Sequence, residues 1–227
     1  MNTAEFSAEF DLLYNNIMSN IAPGLTEYEK SVFLTQAQEQ LIIEIYNGQY
    51  NGDSFEQSEE VRAYLRTILK TLFLETASID SEFPDSYHHY RVELDTNGLW
   101  FIIFESARFA GEDACTKDRK VVVKPVPYDE YWAICRNPFK GPNDNRIIRI
   151  DRSKSELELV SDYPLDQYIV KYLSRPAPIV LEQLEGITIN GVDTQSECEL
   201  PDVLHRSILE RAVQLAKSAW GQTQEQQ

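Results

Sequence analysis

The sequence predicts an α+β protein in which a helical bundle, made of three N-terminal helices and one returning C-terminal helix, carries an inserted small antiparallel β-barrel or sandwich. Three observations predict it. Apolar residues recur at helical spacing through the first 75 residues. Alternation of period two, punctuated by turn residues, takes over between residues 90 and 181. Helical periodicity then returns at residues 201–220. The expected organisation is therefore an N-terminal helical part at 1–80, an antiparallel β domain at 84–195, a C-terminal helix at 196–220 packing back on the helical part, and a tail at 221–227.

Each element has its own warrant. Phe6, Phe10, Leu13, Tyr14 and Ile17 mark a first amphipathic helix over residues 3–20, ended by the NIAPG break. Thr26 is placed as the N-cap of a second helix over 26–46, with Glu29 completing a capping box. Tyr28, Phe33, Ala37, Leu41 and Ile45 form its apolar stripe, and Asn47-Gly48 supplies a left-handed stop. A polar loop at 47–57 leads to a third helix over 58–75, with Val61, Tyr64, Leu65, Ile68, Leu72 and Phe73 inward and early acids suiting the helix dipole.

The β region reads as at least six strands. Residues 90–95 and 99–105 flank Thr96-Asn97-Gly98, a strong hairpin signal. Residues 119–126 are β-rich, and 128–135 read as a short helical turn. Residues 146–150 and 156–160 form a second hairpin across a polar turn, and strands at 167–173 and 178–181 complete the set. Pro201 near the first helical position opens the last helix, whose buried face is assigned to Val203, Leu204, Ile208, Ala212, Leu215 and Ala219.

Bulk composition narrows the function. The chain has 227 residues, enough to bury a real core, and 21 basic against 37 acidic side chains give a net charge of −16. That balance opposes a grip on nucleic acid, which needs Lys and Arg to displace counterions. It suits either a protein that lets DNA slide past or simply a soluble one. Cys115, Cys135 and Cys198 form no CxxC or Cys/His cluster, so neither disulfide framework nor structural zinc is implied. The segment MNTAEFSAEFDLL carries acids where a secretion signal carries positive charge, and no apolar run is long enough to span a bilayer. A soluble protein of a reducing compartment, without membrane contact, is expected.

Catalytic candidates are weak. His88-His89 point to opposite faces of a strand and cannot share a metal by simple alternation. With His205 they read as surface or core histidines. The acidic pairs Glu59-Glu60, Glu112-Asp113 and Asp129-Glu130 read as solvated faces. Ser54, Ser58 and Ser196 have capping roles, and no nucleotide-binding, nucleophile-elbow or HExxH motif is present. No catalytic residue, cofactor or metal is assigned. The candidate interface lies instead in the loop from Arg136 to Arg146, at Asn137, Pro138, Phe139 and Lys140. Phe139 is there either an exposed partner anchor or a side chain tucked under the sheet. Trp220 is the remaining interface candidate, with a core cap as the plainer reading.

The segments LTEYEKSVFLTQAQEQLI (25–42), KPVPYDEYWAICRNPFKGP (124–142), YIVKYLSRPAPIVL (168–181) and ELPDVLHRSILERAVQLAKSAW (199–220) resemble ring, or head–tail connector, proteins of crAss-like phages and related prophages. More distantly the layout is similar to podovirus tail-tubular and adaptor proteins. The resemblance spans nearly the whole chain. It implies a virion structural protein made in the host cytoplasm, not an enzyme, forming a homo-oligomeric ring, dodecameric to follow the portal. Portal protein and neighbouring tail rings would be its partners, and DNA would pass through the lumen without sequence-specific binding. The alternatives are a non-viral cytoplasmic scaffold or binding module and, more remotely, a hydrolase around His88 and His89.

Overall fold

The computed structural model describes residues 1–17, 24–50, 58–80, 83, 86–95, 98–110 and 118–225, with the side chains of 16–17 and 220–225 left aside. The predicted break at 20–23, residues 51–57 of the predicted loop with Ser54 among them, the turn residues Thr96 and Asn97, Glu112-Asp113, Cys115, the Trp220 side chain and the last two residues lie outside this description. The chain divides into two units, one formed by Met1–Ile68 with Arg175–Gln227 and the other by Leu69–Ser174.

The first unit is built on helices α1 (Thr3–Ile17) and α2 (Glu27–Tyr46), the short α3 (Glu59–Tyr64) and α5 (Asp202–Glu225), which runs past the expected end at Trp220. The capping box forms as the sequence requires: Glu29 N–H donates to Thr26 Oγ1, and the Thr26 N–H reaches the Glu29 carboxylate at 2.8 Å. Gly48 takes a left-handed φ of 74° just after α2, a conformation open to it without Cβ strain. Phe6, Phe10 and Tyr14 of α1 are buried, as are Leu34, Ala37, Leu41, Ile42 and Ile45 of α2. The buried stripe of α5 is Leu204, Ile208, Leu209, Ala212, Val213 and Ala216, whereas Val203 is 70 % exposed. That stripe is rotated from the one expected. Lys30, buried, ties α2 to α1 through Asp11 at 2.7 Å and to Glu27 at 2.8 Å.

A polar seam runs down α2. Ser31, Thr35 and Gln38 are buried at helical spacing and face the extended segment 177–181, which follows Pro176. Thr35 Oγ1 accepts from Ile179 N–H at 3.1 Å and lies 3.3 Å from Ile179 O. Ser31 Oγ accepts from Leu181 N–H at 3.0 Å, and Gln38 Nε2 donates to Ala177 O at 2.9 Å. Cys198 donates to Gln38 Oε1, and burial pushes its thiol up to about 11. The expected strand at 178–181 is thus held largely by helix side chains, with one isolated bridge from Val180 to Ser196 and no place in the sheet.

The second unit is one eight-stranded sheet among the described residues, in the order β1 (Leu69–Glu75), β8 (Leu165–Ser174), β4 (Leu99–Phe109), β5 (Lys120–Pro125), β6 (Arg146–Asp151), β7 (Glu156–Ser161), β3 (His88–Glu93) and β2 (Ala77–Ser78). All pairings are antiparallel except the parallel β5–β6 pair. Its edge strands β1 and β2 are consecutive in the chain, separated by Thr76 alone. Flat, eight strands at about 4.8 Å spacing would hold their edges about 34 Å apart. Glu75 and Ala77 can be no more than about 7 Å apart. The sheet therefore curls on itself. Inside the curl Tyr90, Val92, Ala107, Phe109, Ile147, Leu159, Tyr168 and Val170 form the main core.

These elements correct the expected fold class. The stretch expected as one third helix, 58–75, gives only α3 and a 3₁₀ turn before becoming β1, so no bundle of three long N-terminal helices and a fourth exists. Leu69–Glu75 pairs with β8 over its whole length, and that ladder outweighs a helical reading of the same apolar residues. The β part is not a small inserted barrel or sandwich. It is a mixed sheet of eight strands, and all of its strands lie in the second unit. Nor do β3 and β4 make the expected hairpin: β3 pairs with β7 and β2, β4 with β5 and β8. The predicted pairing of 146–150 with 156–160 does form, as β6 with β7.

Each face of the sheet buries charge. Inside, Glu105 pairs with Arg149 and accepts from Tyr168 Oη at 2.8 Å, and Arg149 Nε lies 3.0 Å from Asp151. Burial holds the Glu105 carboxyl above its ordinary range, with Arg149 and Tyr168 opposing the shift. On the other face His89 Nδ1 lies 2.8 Å from Glu158, which is also paired with Arg152.

Both buried polar arrangements can be tested by substitution. Arg149→Met leaves Glu105 buried without its countercharge and should cost about 3–5 kcal/mol in urea unfolding at neutral pH. A carboxyl whose folded pKa is raised loses stability as pH rises through that value, so the deficit should shrink on acidification. A pH-independent deficit would assign the cost to packing. Thr35→Val and Gln38→Leu should each cost about 1–3 kcal/mol by orphaning buried backbone groups of 177–181. Gln36→Ala, on the exposed face of the same helix, should change stability by less than about 0.5 kcal/mol.

Candidate subunit interface

The loop from Arg136 to Arg146 is set on the sheet by a short aromatic anchor. A 3₁₀ turn at Tyr128–Glu130 leads into α4 (Tyr131–Cys135), and Tyr131 is fully buried. Its ring centroid is 4.1 Å from that of Phe83, and the pair packs with Ile148, Ile150 and Val160 on one face of the strands. Ile134 and Cys135 pack partly against this cluster, while Trp132 stays 40 % exposed with the Arg136 guanidinium 6.0 Å from its ring centre. The alternation of α4 thus drives one side chain in and leaves the next out.

Beyond α4 the chain folds into a tight, pre-organised turn. Asn137 Oδ1 accepts from Phe139 N–H at 2.9 Å, an Asx-type bond to the residue two positions on. Asn137 O accepts from Lys140 N–H at 3.0 Å and Gly141 N–H at 2.8 Å. A Cβ at Gly141 would lie 3.3 Å from both Asn137 O and Cys135 O, so the turn closes on a position that leaves little room for a side chain. From the far side, Arg146 Nη1 donates to Phe139 O at 2.9 Å. The backbone of Phe139 is therefore held at both its N–H and its carbonyl, yet its ring is 86 % exposed. It is the most exposed large apolar side chain of the described residues. The reading that tucks Phe139 under the sheet is excluded.

The structure brings Asn137, Pro138, Phe139 and Lys140 together on this one turn, with Pro138, Phe139 and Lys140 exposed. Trp220 lies on α5 in the other unit, its side chain outside the description. Beside the turn is a cleft of about 290 Å³ lined by Lys124, Pro125, Val126, Ile134, Lys140, Arg146 and Ile148. Its charged lining is wholly basic in a chain of net charge −16. Lys124 and Arg146 are distant in sequence. They share this cleft because β5 and β6 run parallel, Val122 opposite Arg146 and Lys124 opposite Ile148. No local motif carries a signal for that pairing.

The other chemistry-bearing candidates separate. His88 is exposed, His89 is buried against Glu158, and His205 is buried with Nε2 2.9 Å from Leu200 O and its ring 5.2 Å from that of Phe6. Cys135 and Cys198 are partly buried. Among the described residues no group of His, Cys, Asp and Glu is placed to hold a metal, and no helix is long and apolar enough to cross a membrane.

The model of the phage tail ring protein 3/4 family matches residues 1–227. The chain is 44 % identical to Ring protein 3 of Bacteroides phage crAss001, over 95 % of each chain. It is also 38 % identical to Ring protein 4/5 of the same phage, over 97 % of this chain and 94 % of the relative. These relatives are ring proteins, not enzymes. With a whole-length family match and relatives of this similarity, the chain belongs to the phage tail ring protein 3/4 family, the ring proteins of crAss-like phages.

Proposed function

We propose that this ring protein is a head–tail connector subunit whose copies form a closed ring below the portal, lining part of the passage through which DNA enters and leaves the capsid. The observation that carries this reading is the family match over the whole chain, joined to relatives whose names are those of rings. Two physical features support it. The Phe139 turn presents a fixed apolar side chain to solvent, and burying a phenylalanine against a partner stabilises the contact by about 1.5–3 kcal/mol. The net charge of −16 suits a conduit, because acidic walls repel phosphate and reduce sticking of the passing duplex. Twelve copies would match a dodecameric portal, and neighbouring tail rings would be the other partners.

The test is a reconstruction of the phage vertex. It should show a ring of this chain stacked under the portal, with acidic side chains outnumbering basic ones on its inner wall. A basic inner wall would remove the sliding role, and a ring elsewhere in the particle would remove the connector role. A second measurement addresses the interface. Phe139→Ala should weaken association between subunits by tenfold to about a hundredfold while leaving the melting temperature unchanged, since the exposed aromatic side chain contributes little to the monomer's core. Particles that incorporate the variant normally would take the turn out of the interface. Proline at Leu204 or Ile208, by contrast, should lower both stability and assembly, because both side chains are fully buried on α5.

A further inference from the structure

A closed ring of more than two copies joins two different surfaces of the same subunit, one presented to each neighbour. The basic cleft with Phe139 at its edge supplies one such surface. The other unit of the chain carries a surface of opposite charge. A cleft of about 330 Å³ is lined by Tyr28, Glu182, Gln183, Leu184, Glu185 and Ile187. Its charged lining is wholly acidic, and Ile187 is 50 % exposed at its rim.

This second surface is also fixed before any contact is made. Leu184 is buried and packs with Tyr28, Val32, Val180 and Ile189. Its N–H donates to Asp193 O at 2.8 Å, and Ile189 exchanges backbone bonds with Val192 at 2.9 and 3.0 Å. Gly186 turns the chain at a φ of +73°, which lets Glu182 and Glu185 flank the cleft without strain in a residue bearing a Cβ. Among the described residues none of Lys124, Lys140, Glu182 and Glu185 has an ion-pair partner, so both sets of charges are available.

We infer that copies of this chain meet head to tail through these two clefts, Phe139 of one copy seating between Tyr28 and Ile187 of the next, with Lys124 and Lys140 facing Glu182 and Glu185. The inference rests on the ring reading above and specifies how that ring is joined. The occupant is a second copy because each cleft offers what the other lacks. One has a projecting aromatic side chain and available cations, the other an apolar-walled recess with available carboxylates. Charge pairs at the rim would set which faces meet and the rate of encounter, and the buried phenylalanine would supply the adhesion.

The test uses charge reversal in the full chain. One variant carries Lys124→Glu and Lys140→Glu, the other Glu182→Lys and Glu185→Lys; all four side chains are exposed, so melting temperatures should hold. Each variant alone places like charges at every contact and should associate at least about tenfold more weakly than wild type by mass photometry. An equimolar mixture restores opposite charges at both kinds of contact and should restore ring-sized particles. Variants that associate as wild type does, or a mixture that fails to recover, would overturn this interface while leaving the ring reading in place. In parallel, virions treated with a zero-length carbodiimide should yield Lys140 joined to Glu182 or Glu185 in the dimer band, which also decides the matter if the free subunit stays monomeric. Inter-copy adducts lacking that pair overturn the interface. No inter-copy adduct at all likewise overturns this interface, while the ring reading is decided by the vertex reconstruction.

Discussion

The constraint on which the first unit depends is the need to satisfy a buried backbone that belongs to no sheet. After β8 the chain passes Arg175-Pro176 and runs extended through residues 177–181 against α2, with 178–181 buried. Its N–H and C=O groups have no strand on the helix side, and leaving them unpaired in an apolar interior would cost about as much as several hydrogen bonds. Ser31, Thr35 and Gln38 do what a neighbouring strand would do elsewhere, one turn of helix after another. Everything downstream inherits that register: the Glu182–Ile187 turn, the Val180–Ser196 bridge and the start of α5. The apolar contacts between α5 and α2 are then possible because the connection between them is already fixed.

The sheet unit follows a different logic. Its edges are joined through Thr76, so the strands curl, and the inner face becomes an apolar core that also encloses Glu105, Arg149 and Tyr168. Such a cluster adds little net stability compared with apolar residues of the same volume, but it is costly to break. The outer face is covered near β6 and β7 by α4 and its aromatic residues, and the Phe139 turn that follows is tied by hydrogen bonds from Lys140, Gly141 and Arg146. A contact residue whose backbone is already ordered loses less entropy on binding, which is the advantage of fixing it on a rigid support.

Those parts of the structure that depend on near neighbours were legible in the sequence. The capping box at Thr26 and Glu29, the Gly48 stop, the β6–β7 pairing and the placing of His88 and His89 on opposite faces are all local consequences of residue type and spacing. Legibility ended where distant pairing outvoted local pattern. Leu69–Glu75 carries apolar residues that fit a helix as well as a strand, and only the ladder with β8 decides. Asn97-Gly98 announces a hairpin, but β3 is claimed by β7, more than sixty residues on. Ser31, Thr35 and Gln38 belong to no apolar stripe, because they are polar and buried for a reason held about 140 residues away. At the candidate interface, the Asn137–Lys140 turn could be picked out from its Asn, Pro, Phe and Gly content. The basic cleft beside it depends on parallel strands and could not.

A cryo-EM reconstruction of the portal vertex at side-chain resolution would show how neighbouring copies are joined. Copies of this chain should form a closed ring, each with the 137–140 turn buried against the Glu182–Ile187 cleft of its neighbour. A ring in which Phe139 faces solvent, or in which one copy's basic cleft meets its neighbour's basic cleft, would contradict it.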